Sequence, residues 1–580
     1  MGNPTMPSVP AKDLAKTTSL VNGYISDFVA KNCEYPPLGP AYTKEFDSDT
    51  VEKWLATYRI RKYFQVPSGN TNTIEKSIDA MLTYDRECSV TAFDPGSDKH
   101  LPNSVRKILY TARLELHRIL RKYKYSPAKH MKMPSGEGLI PAKGDTSVFA
   151  KLTNQEYWCC TADAFDLVAE TIYKTRWLKR IAKGFIGNVP RDAQKLLALA
   201  FDCNGFEIFK SLLLDVITIV DGCAISYVDK DNDAKRVITR EPLLNMICQL
   251  VVSGGVKHCL RKGWSYDKET AQGVHGNMIS DLNYATFDLS NASNSNWLPV
   301  VEWFLPSNLF GHLLNTRSPV GTWKGQSHEF AMLAPMGNGF TFEIMTVILM
   351  AVAKSCDYQS SVYGDDIIIK KTFSDVFLAT LSYMGYQVNT SKSFNSGYFR
   401  ESCGAFFHKE RYLRSYKVEY ATDAFDAVIN VNKLIILRDI LGINDSLREL
   451  IKTLPLALLK EGDLASVENP DLSGVISVPS SLLNVKRLKK KCKDWTRNIP
   501  TYKHQMAEAI RDYTYDHRKV DFYINLDRVS LTYIQTKRWR KPPVDDVRQL
   551  AVIGYYLYSG MCTAPAYRNK TRLTGRLVVY

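Results

Sequence analysis

The sequence predicts an α+β fold, and three observations carry that reading. Between about 280 and 410, short β-like runs alternate with helices, the pattern of a mixed core. One of these runs, SVYGDDIIIKK at 361–371, sets two β-like flanks around a Gly-Asp-Asp tip. On either side the apolar spacing is helical, at Val105–Lys124 upstream and at about 425–460 downstream.

Taken in order, the first forty residues are punctuated by proline and predict a loosely packed start. MGNPTMPSVPAK has no apolar run, so no secretory signal is expected, and Met6 stands where a myristoylation motif wants Ser or Thr. Val105–Lys124 places Ile108, Leu109, Ala112, Leu116, Ile119 and Leu120 at helical spacing, with Arg106, Lys107, Arg113, Arg118, Arg121 and Lys122 between them. That is a basic amphipathic helix. Residues 126–147 read as a loop from their Pro and Gly content. Residues 190–220 read as helical, with Leu196, Leu197, Ala200 and Phe201 on one face. A polar, proline-bearing loop is expected at 461–480, and the last hundred residues are basic and rich in Tyr and Trp.

The 580 residues carry 75 Lys and Arg against 60 Asp and Glu, a formal charge of +15. The length implies several lobes, and 45% hydrophobic residues supply a core, so a small module and a disordered tail are both excluded. The positive excess points to a polyanion, nucleic acid first and an anionic membrane surface second. Twelve cysteines form no C-x-x-C and no zinc spacing, which fits reduced thiols in a cytosolic protein. The most apolar stretch, about Phe340–Ala353, is too short to span a bilayer and carries Glu343, so a soluble chain is expected.

Four segments carry chemistry. At Gly364-Asp365-Asp366, glycine permits a tight hairpin turn, and two adjacent carboxylates repel unless a cation lies beside them. Hard oxygen ligands suit Mg²⁺ or Mn²⁺; the alternative is a solvated Asp-rich turn. In NYATFDLSNASNSN, 283–296, an apolar run ends in Asp288, which is either a third carboxylate at a strand end or a helix cap. Three such aspartates would suit two metal ions clamping an in-line phosphoryl transfer. In PMGNGFTFE, 335–343, Gly337, Asn338 and Gly339 run into an apolar helix; the loop allows close backbone approach to a substrate, or is an ordinary turn. In YVDKDNDAKRVITREP, 227–242, Lys230, Lys235, Arg236 and Arg240 can clamp a triphosphate, or belong to a solvated mixed-charge loop. Downstream, Lys392 could reach a pyrophosphate as a general acid. FRESCGAFF, 399–407, reads as a short hairpin whose Arg400 and Glu401 are structural.

On the strings FDLSNASNSN, MGNGFTFE, YGDDII, NTSKSF, FRESCGA and KRVITREP, the chain resembles an RNA-dependent RNA polymerase. More narrowly, it resembles the catalytic (beta) subunit of the replicases of levivirus-type single-stranded RNA bacteriophages. The resemblance implies a right-handed palm–fingers–thumb polymerase with an antiparallel-sheet palm. Residues 1–100 would be an N-terminal region contacting the fingers and 101–280 the fingers. Residues 281–410 would be the palm, with a fingers insertion at about 298–334, and 411–580 the thumb and basic C-terminal region. It implies catalysis by Asp288, Asp365, Asp366 and Lys392, and metal ligation at Asp288, Leu289, Asp365 and Asp366 with two Mg²⁺ ions. Lys230, Lys235, Arg236, Arg240, Asn294, Gly337, Asn338 and Gly339 would meet the nucleotide. Related replicases usually carry Asp six positions after the first metal aspartate; here that position is Asn294, which leaves the reading of the sugar open.

The same resemblance implies primer-independent copying of a positive-strand RNA genome in the cytoplasm of an infected bacterium, from RNA template and nucleoside triphosphates. Its implied partners are host elongation factors Tu and Ts and a small-subunit ribosomal RNA-binding protein. Near the C-terminus, Lys486, Arg487, Lys489, Lys490, Lys491 and Trp495, then Lys537, Arg538 and Trp539, mix charge with rings as a single-strand RNA channel would. They could equally be solvated faces or a docking surface. A reverse transcriptase and a non-catalytic RNA-packaging protein are the competing functions.

Overall fold

The computed structural model describes residues 11–32, 46–64, 71–89, 93–134, 137–140, 151–152, 154–187, 205–230, 234–462 and 475–482. The helical face at 190–201 and all the basic C-terminal runs lie outside the described residues.

The fold is α+β, with small, mostly antiparallel sheets among helices. At its centre is a three-stranded antiparallel sheet in the order Tyr284–Phe287, Asp366–Lys370, Ser361–Tyr363. Ile367 stands opposite Phe287 on one side and Val362 on the other. Ile367, Ile368 and Ile369 are all buried, so both faces of the central strand are covered. Ile367 and Ile369 point into the largest core, against the helices Asn103–Leu120, Thr341–Cys356 and Ser374–Tyr383. The first of these is the basic amphipathic helix, and its six apolar positions are buried.

The basic segment 227–242 is a β-hairpin, Cys223–Asp229 with Lys235–Arg240, where a solvated loop was the alternative. It extends into a four-stranded sheet through Val320–Trp323 and Gln326–Glu329. The helix Leu243–Trp264 follows directly. By length and composition it is apolar enough to cross a membrane, yet 72% of its most apolar window is buried inside the fold, as in a core helix. It is therefore a longer apolar element than the stretch 340–353.

The start of the chain departs from expectation. Ala11–Lys31 is a helix, and its Val21 and Ile25 are fully buried. It packs on the helix Ala424–Leu441, as does Ser48–Tyr63, while Thr71–Ser89 packs on the basic strand Lys235–Arg240. The described part of the first hundred residues therefore packs both on the basic strand and on elements beyond residue 390. Asn22 makes a reciprocal pair with Ala421, its Nδ2 donating to the carbonyl and its Oδ1 accepting the N–H, both at 2.9 Å. Glu52, 1% exposed, accepts from Arg411 Nη2 at 2.7 Å and from Arg414 N–H at 2.8 Å. A buried carboxylate so held tolerates no loss of partner.

Candidate active site

The strand Tyr284–Phe287 delivers Asp288 to the same end of the central sheet as the turn 363–366. Glycine is required at that turn for two reasons. Gly364 has φ +63°, and a Cβ there would lie 2.7 Å from the Phe342 ring. Its N–H donates to Thr346 Oγ1 at 3.1 Å, tying the tip to the helix Thr341–Cys356.

Asp365 and Asp366 are half-buried, and their electrostatics are coupled. Burial pushes Asp366 up to about 7, helped by the Asp365 charge. Asp365 is raised by burial and then by Asp288, against which Lys392 and Arg236 work. Asp288 is held by a different set of groups. Lys392 Nζ lies 3.2 Å from its Oδ2, Asn389 Nδ2 lies 3.0 Å from its Oδ1, and its N–H donates to Ser393 Oγ at 3.1 Å. Burial pulls Lys392 down, and the Asp288 carboxylate more than offsets it, so the ammonium is held above its usual range. Glu401 is pushed up to about 7 by burial despite Lys392.

The structure therefore brings Asp288, Asp365, Asp366 and Lys392 into one field, with Arg236 within reach of Asp365. Leu289 heads a two-residue strand paired with Gln387–Val388, and its side chain is in the core. Asn294 sits in the following turn, where its Oδ1 accepts from Ser293 Oγ at 3.4 Å. Gly337 and Gly339 line a cavity of about 670 Å³ with Arg240, Ile238 and Glu241. Lys235 is at the start of its strand, its N–H on Ser77 Oγ at 3.3 Å, and Lys230 is exposed beyond the partner strand. Arg400 is fully buried and donates to the carbonyls of Tyr284, Ser396, Phe399, Gly397 and Leu282, a structural role.

In kind, this donor set fits a hard divalent cation: neighbouring carboxylates whose mutual repulsion raises their affinity for protons also favours a cation. In place, among the described residues no three His, Cys, Asp or Glu side chains stand close enough together to hold a metal. Asp288 is turned to Lys392 and Asn389. Asn389 was missed in the sequence, although it opens the NTSKSF string already singled out.

A family model described as RNA replicase, beta-chain, matches residues 43–454. The chain is 32% identical over 225 residues to the RNA-directed RNA polymerase beta chain of Enterobacteria phage fr, covering 37% of this chain and 41% of that one. The beta chain of Escherichia phage MS2 gives the same identity and coverage. The RNA-directed RNA polymerase subunit beta of Escherichia virus Qbeta is 36% identical over 193 residues, covering 31% of this chain and 32% of that one. The matched segment thus spans about a third to two-fifths of the length of these relatives. Among solved structures, the RNA-dependent RNA polymerase of BmCPV at elongation state aligns with a TM-score of 0.35 and 9% identity, over 61% of this chain and 33% of that one.

Proposed function

Because the chain belongs to the RNA replicase beta-chain family, we propose that it is an RNA-directed RNA polymerase that copies a positive-strand RNA phage genome. The observation that carries this reading is the gathering of Asp288, Asp365 and Asp366 with Lys392 at one end of the central sheet. In this reading the sheet is the palm within 281–410. The basic hairpin belongs to the fingers within 101–280, joined by the insertion at about 298–334, and 411–580 is the thumb and basic C-terminal region.

Asp288, Asp365 and Asp366 would hold two Mg²⁺ ions, or Mn²⁺ in their place, only once Asp288 turns from Lys392 and Asn389 toward the pair, and Leu289 could contribute only its backbone, since its side chain is buried. When bound, such ions acidify the 3′-hydroxyl and neutralise the leaving pyrophosphate. The chain's own groups do the rest. Arg236 and Arg240, with Lys230 and Lys235 on the same hairpin, draw in the triphosphate. Lys392, 3.2 Å from Asp288, is the group that would protonate the leaving pyrophosphate once it is freed from that carboxylate, which otherwise holds its proton on. The loop Gly337–Gly339 borders the cavity that would take template and nucleotide.

RNA template, RNA product and nucleoside triphosphates are the substrates in this reading. Primer-independent initiation, host elongation factors Tu and Ts, a small-subunit ribosomal RNA-binding protein, and the cytoplasm of an infected bacterium complete it, all by the family resemblance. The test is Asp365→Asn, assayed for Mg²⁺-dependent nucleotide incorporation on an RNA template in the presence of host extract. Undiminished synthesis would reject the assignment. Comparing ribo- and deoxynucleotide incorporation separates this enzyme from a reverse transcriptase.

A further inference from the structure

A buried polar network joins the basic hairpin to the Gly-Asn-Gly loop. Glu241, just past the strand Lys235–Arg240, is 1% exposed. Burying a carboxylate is costly unless donors converge on it. Three do: Thr239 Oγ1 at 3.0 Å on Oε1, and Ser318 Oγ at 2.8 Å and Gln249 Nε2 at 3.0 Å on Oε2. Gln249, from the helix Leu243–Trp264, is fully buried. Its Nε2 also donates to the Thr316 carbonyl at 2.9 Å, and its Oε1 accepts the Gly339 N–H at 2.9 Å. This pattern of acceptors and donor fixes which way the amide points. From the other side, the Thr239 N–H donates to the Met336 carbonyl at 2.7 Å.

The loop 336–339 is thus held by the end of the basic strand and by one helix side chain. Between those two anchors, Asn338 is 8% exposed; its Oδ1 accepts the Phe340 N–H at 3.1 Å, and its Nδ2 has no hydrogen-bond partner among the described residues. An unpaired buried amide donor is costly, so an acceptor arriving from outside the chain is what would satisfy it.

We propose that Glu241 and Gln249 are positioning residues that fix the Gly-Asn-Gly loop against the basic hairpin, and thereby set how strictly matched nucleotides are chosen over mismatched ones. The inference rests on the polymerase reading of this site. On one side of the tie stand the cations that meet the triphosphate, Arg236 and Arg240. On the other stands the Asn338 amide, at the wall where base or sugar would lie. A mismatched nucleotide fits only if one side shifts against the other. The buried hydrogen bonds through Glu241 and Gln249 oppose that shift, and a site that cannot adjust discriminates better.

The experiment compares the full chain with Gln249→Met, which nearly keeps the volume and removes both the Gly339 acceptor and the Glu241 donor. Misincorporation on a defined template, KM and kcat for each nucleotide, template affinity, thermal melting and amide exchange at 336–340 are measured. Gln249→Met is expected to misincorporate about tenfold more often, the effect of about one buried hydrogen bond. KM for the matched nucleotide rises more than kcat falls, exchange at Gly339 quickens, and template affinity holds. Glu241→Gln keeps an oxygen for Ser318 and Gln249, and the Thr239 hydroxyl can turn to accept from the new amide, so its error ratio stays within about twofold of the unsubstituted chain. An unchanged error ratio in Gln249→Met with quickened exchange overturns the inference, and so does a lowered melting temperature with nothing else altered. If the unsubstituted chain makes no RNA, the polymerase reading itself falls. RNA made with an unchanged error ratio overturns this inference alone.

Discussion

Lys392 Nζ stands 3.2 Å from Oδ2 of Asp288, and the two residues lie 104 positions apart. The contact is set by backbone: the Asn389 N–H donates to the Asp288 carbonyl at 2.9 Å, and Val388 pairs with Leu289. The ammonium is therefore delivered by a β-pairing, not by a flexible reach. Lys392→Met should lower single-turnover nucleotide incorporation about 100-fold, the usual scale for a lost proton donor, with template binding unchanged. Lys392→Arg keeps the charge but holds its proton too tightly to give it up. If Arg restores the full rate, charge alone is what Lys392 supplies.

Asp366 is costly to the fold that carries it. Burial and the neighbouring Asp365 both disfavour its ionised form. Asp366→Asn removes the charge and keeps the shape. In the presence of chelator the variant should be more stable than the unsubstituted chain by about 1–3 kcal/mol, and it should make no RNA. Urea unfolding followed by an incorporation assay checks both halves. A variant that is less stable would show that the Cys403 backbone N–H and thiol, which favour the ionised carboxyl, outweigh its burial.

Asn294 occupies the position where related replicases carry Asp. Its Oδ1 takes one long hydrogen bond, from Ser293 Oγ, so no tight network demands an amide there. Asn294→Asp should keep RNA synthesis, and its preference for ribo- over deoxynucleotides should change by less than about tenfold. Parallel incorporation assays with both nucleotide types decide it. Loss of synthesis would show that the neutral amide is required in its own right.

What was legible in the sequence was local. The strand ending in Asp288 and the hairpin around Gly364 follow from short apolar runs and one glycine, and the helix Asn103–Leu120 from its period. What was not legible depends on partners far along the chain. Proline on both sides hides the helix Ala11–Lys31, because its buried face is completed mainly by the distant Ala424–Leu441. The basic segment 227–242 showed its charges but not its strands, whose sheet is completed by Val320–Trp323. Asn389, Glu241 and Gln249 have no local signature, since a polar side chain is read as exposed until the residue that buries it is known.

Glycine is irreplaceable at Gly337 and merely convenient at Gly325. Both have positive φ, +114° and +80°, but a Cβ on Gly337 would lie 2.3 Å from the Thr239 carbonyl oxygen, while one on Gly325 meets nothing within 4 Å. Gly325→Ala should cost only the conformational strain, about 1 kcal/mol. Gly337→Ala must also push the loop off the basic strand, breaking the Thr239–Met336 bond, and should cost about 2–4 kcal/mol with loss of RNA synthesis. Chemical denaturation of the two variants side by side gives the comparison. Equal costs would mean that the loop moves away freely.

His275 makes the fold sensitive to acid. Its ring is fully buried against the hairpin 399–408, with Nδ1 2.8 Å from Ser402 Oγ and 3.4 Å from Cys403 Sγ, and with the Tyr363 ring 6.4 Å away. Burial pushes its pKa down to about 4. In the unfolded chain an ordinary histidine titrates near 6.5. Below that pH the unfolded state takes up a proton that the folded state refuses, so protonation favours unfolding. Stability from this group is complete above about pH 7 and is lost as pH falls toward about 4, with roughly 2 kcal/mol gone by about pH 5. His275→Gln cannot titrate. Urea unfolding at the two pH values should therefore show a smaller loss of stability for the variant than for the unsubstituted chain. Equal losses would place the acid sensitivity elsewhere in the fold.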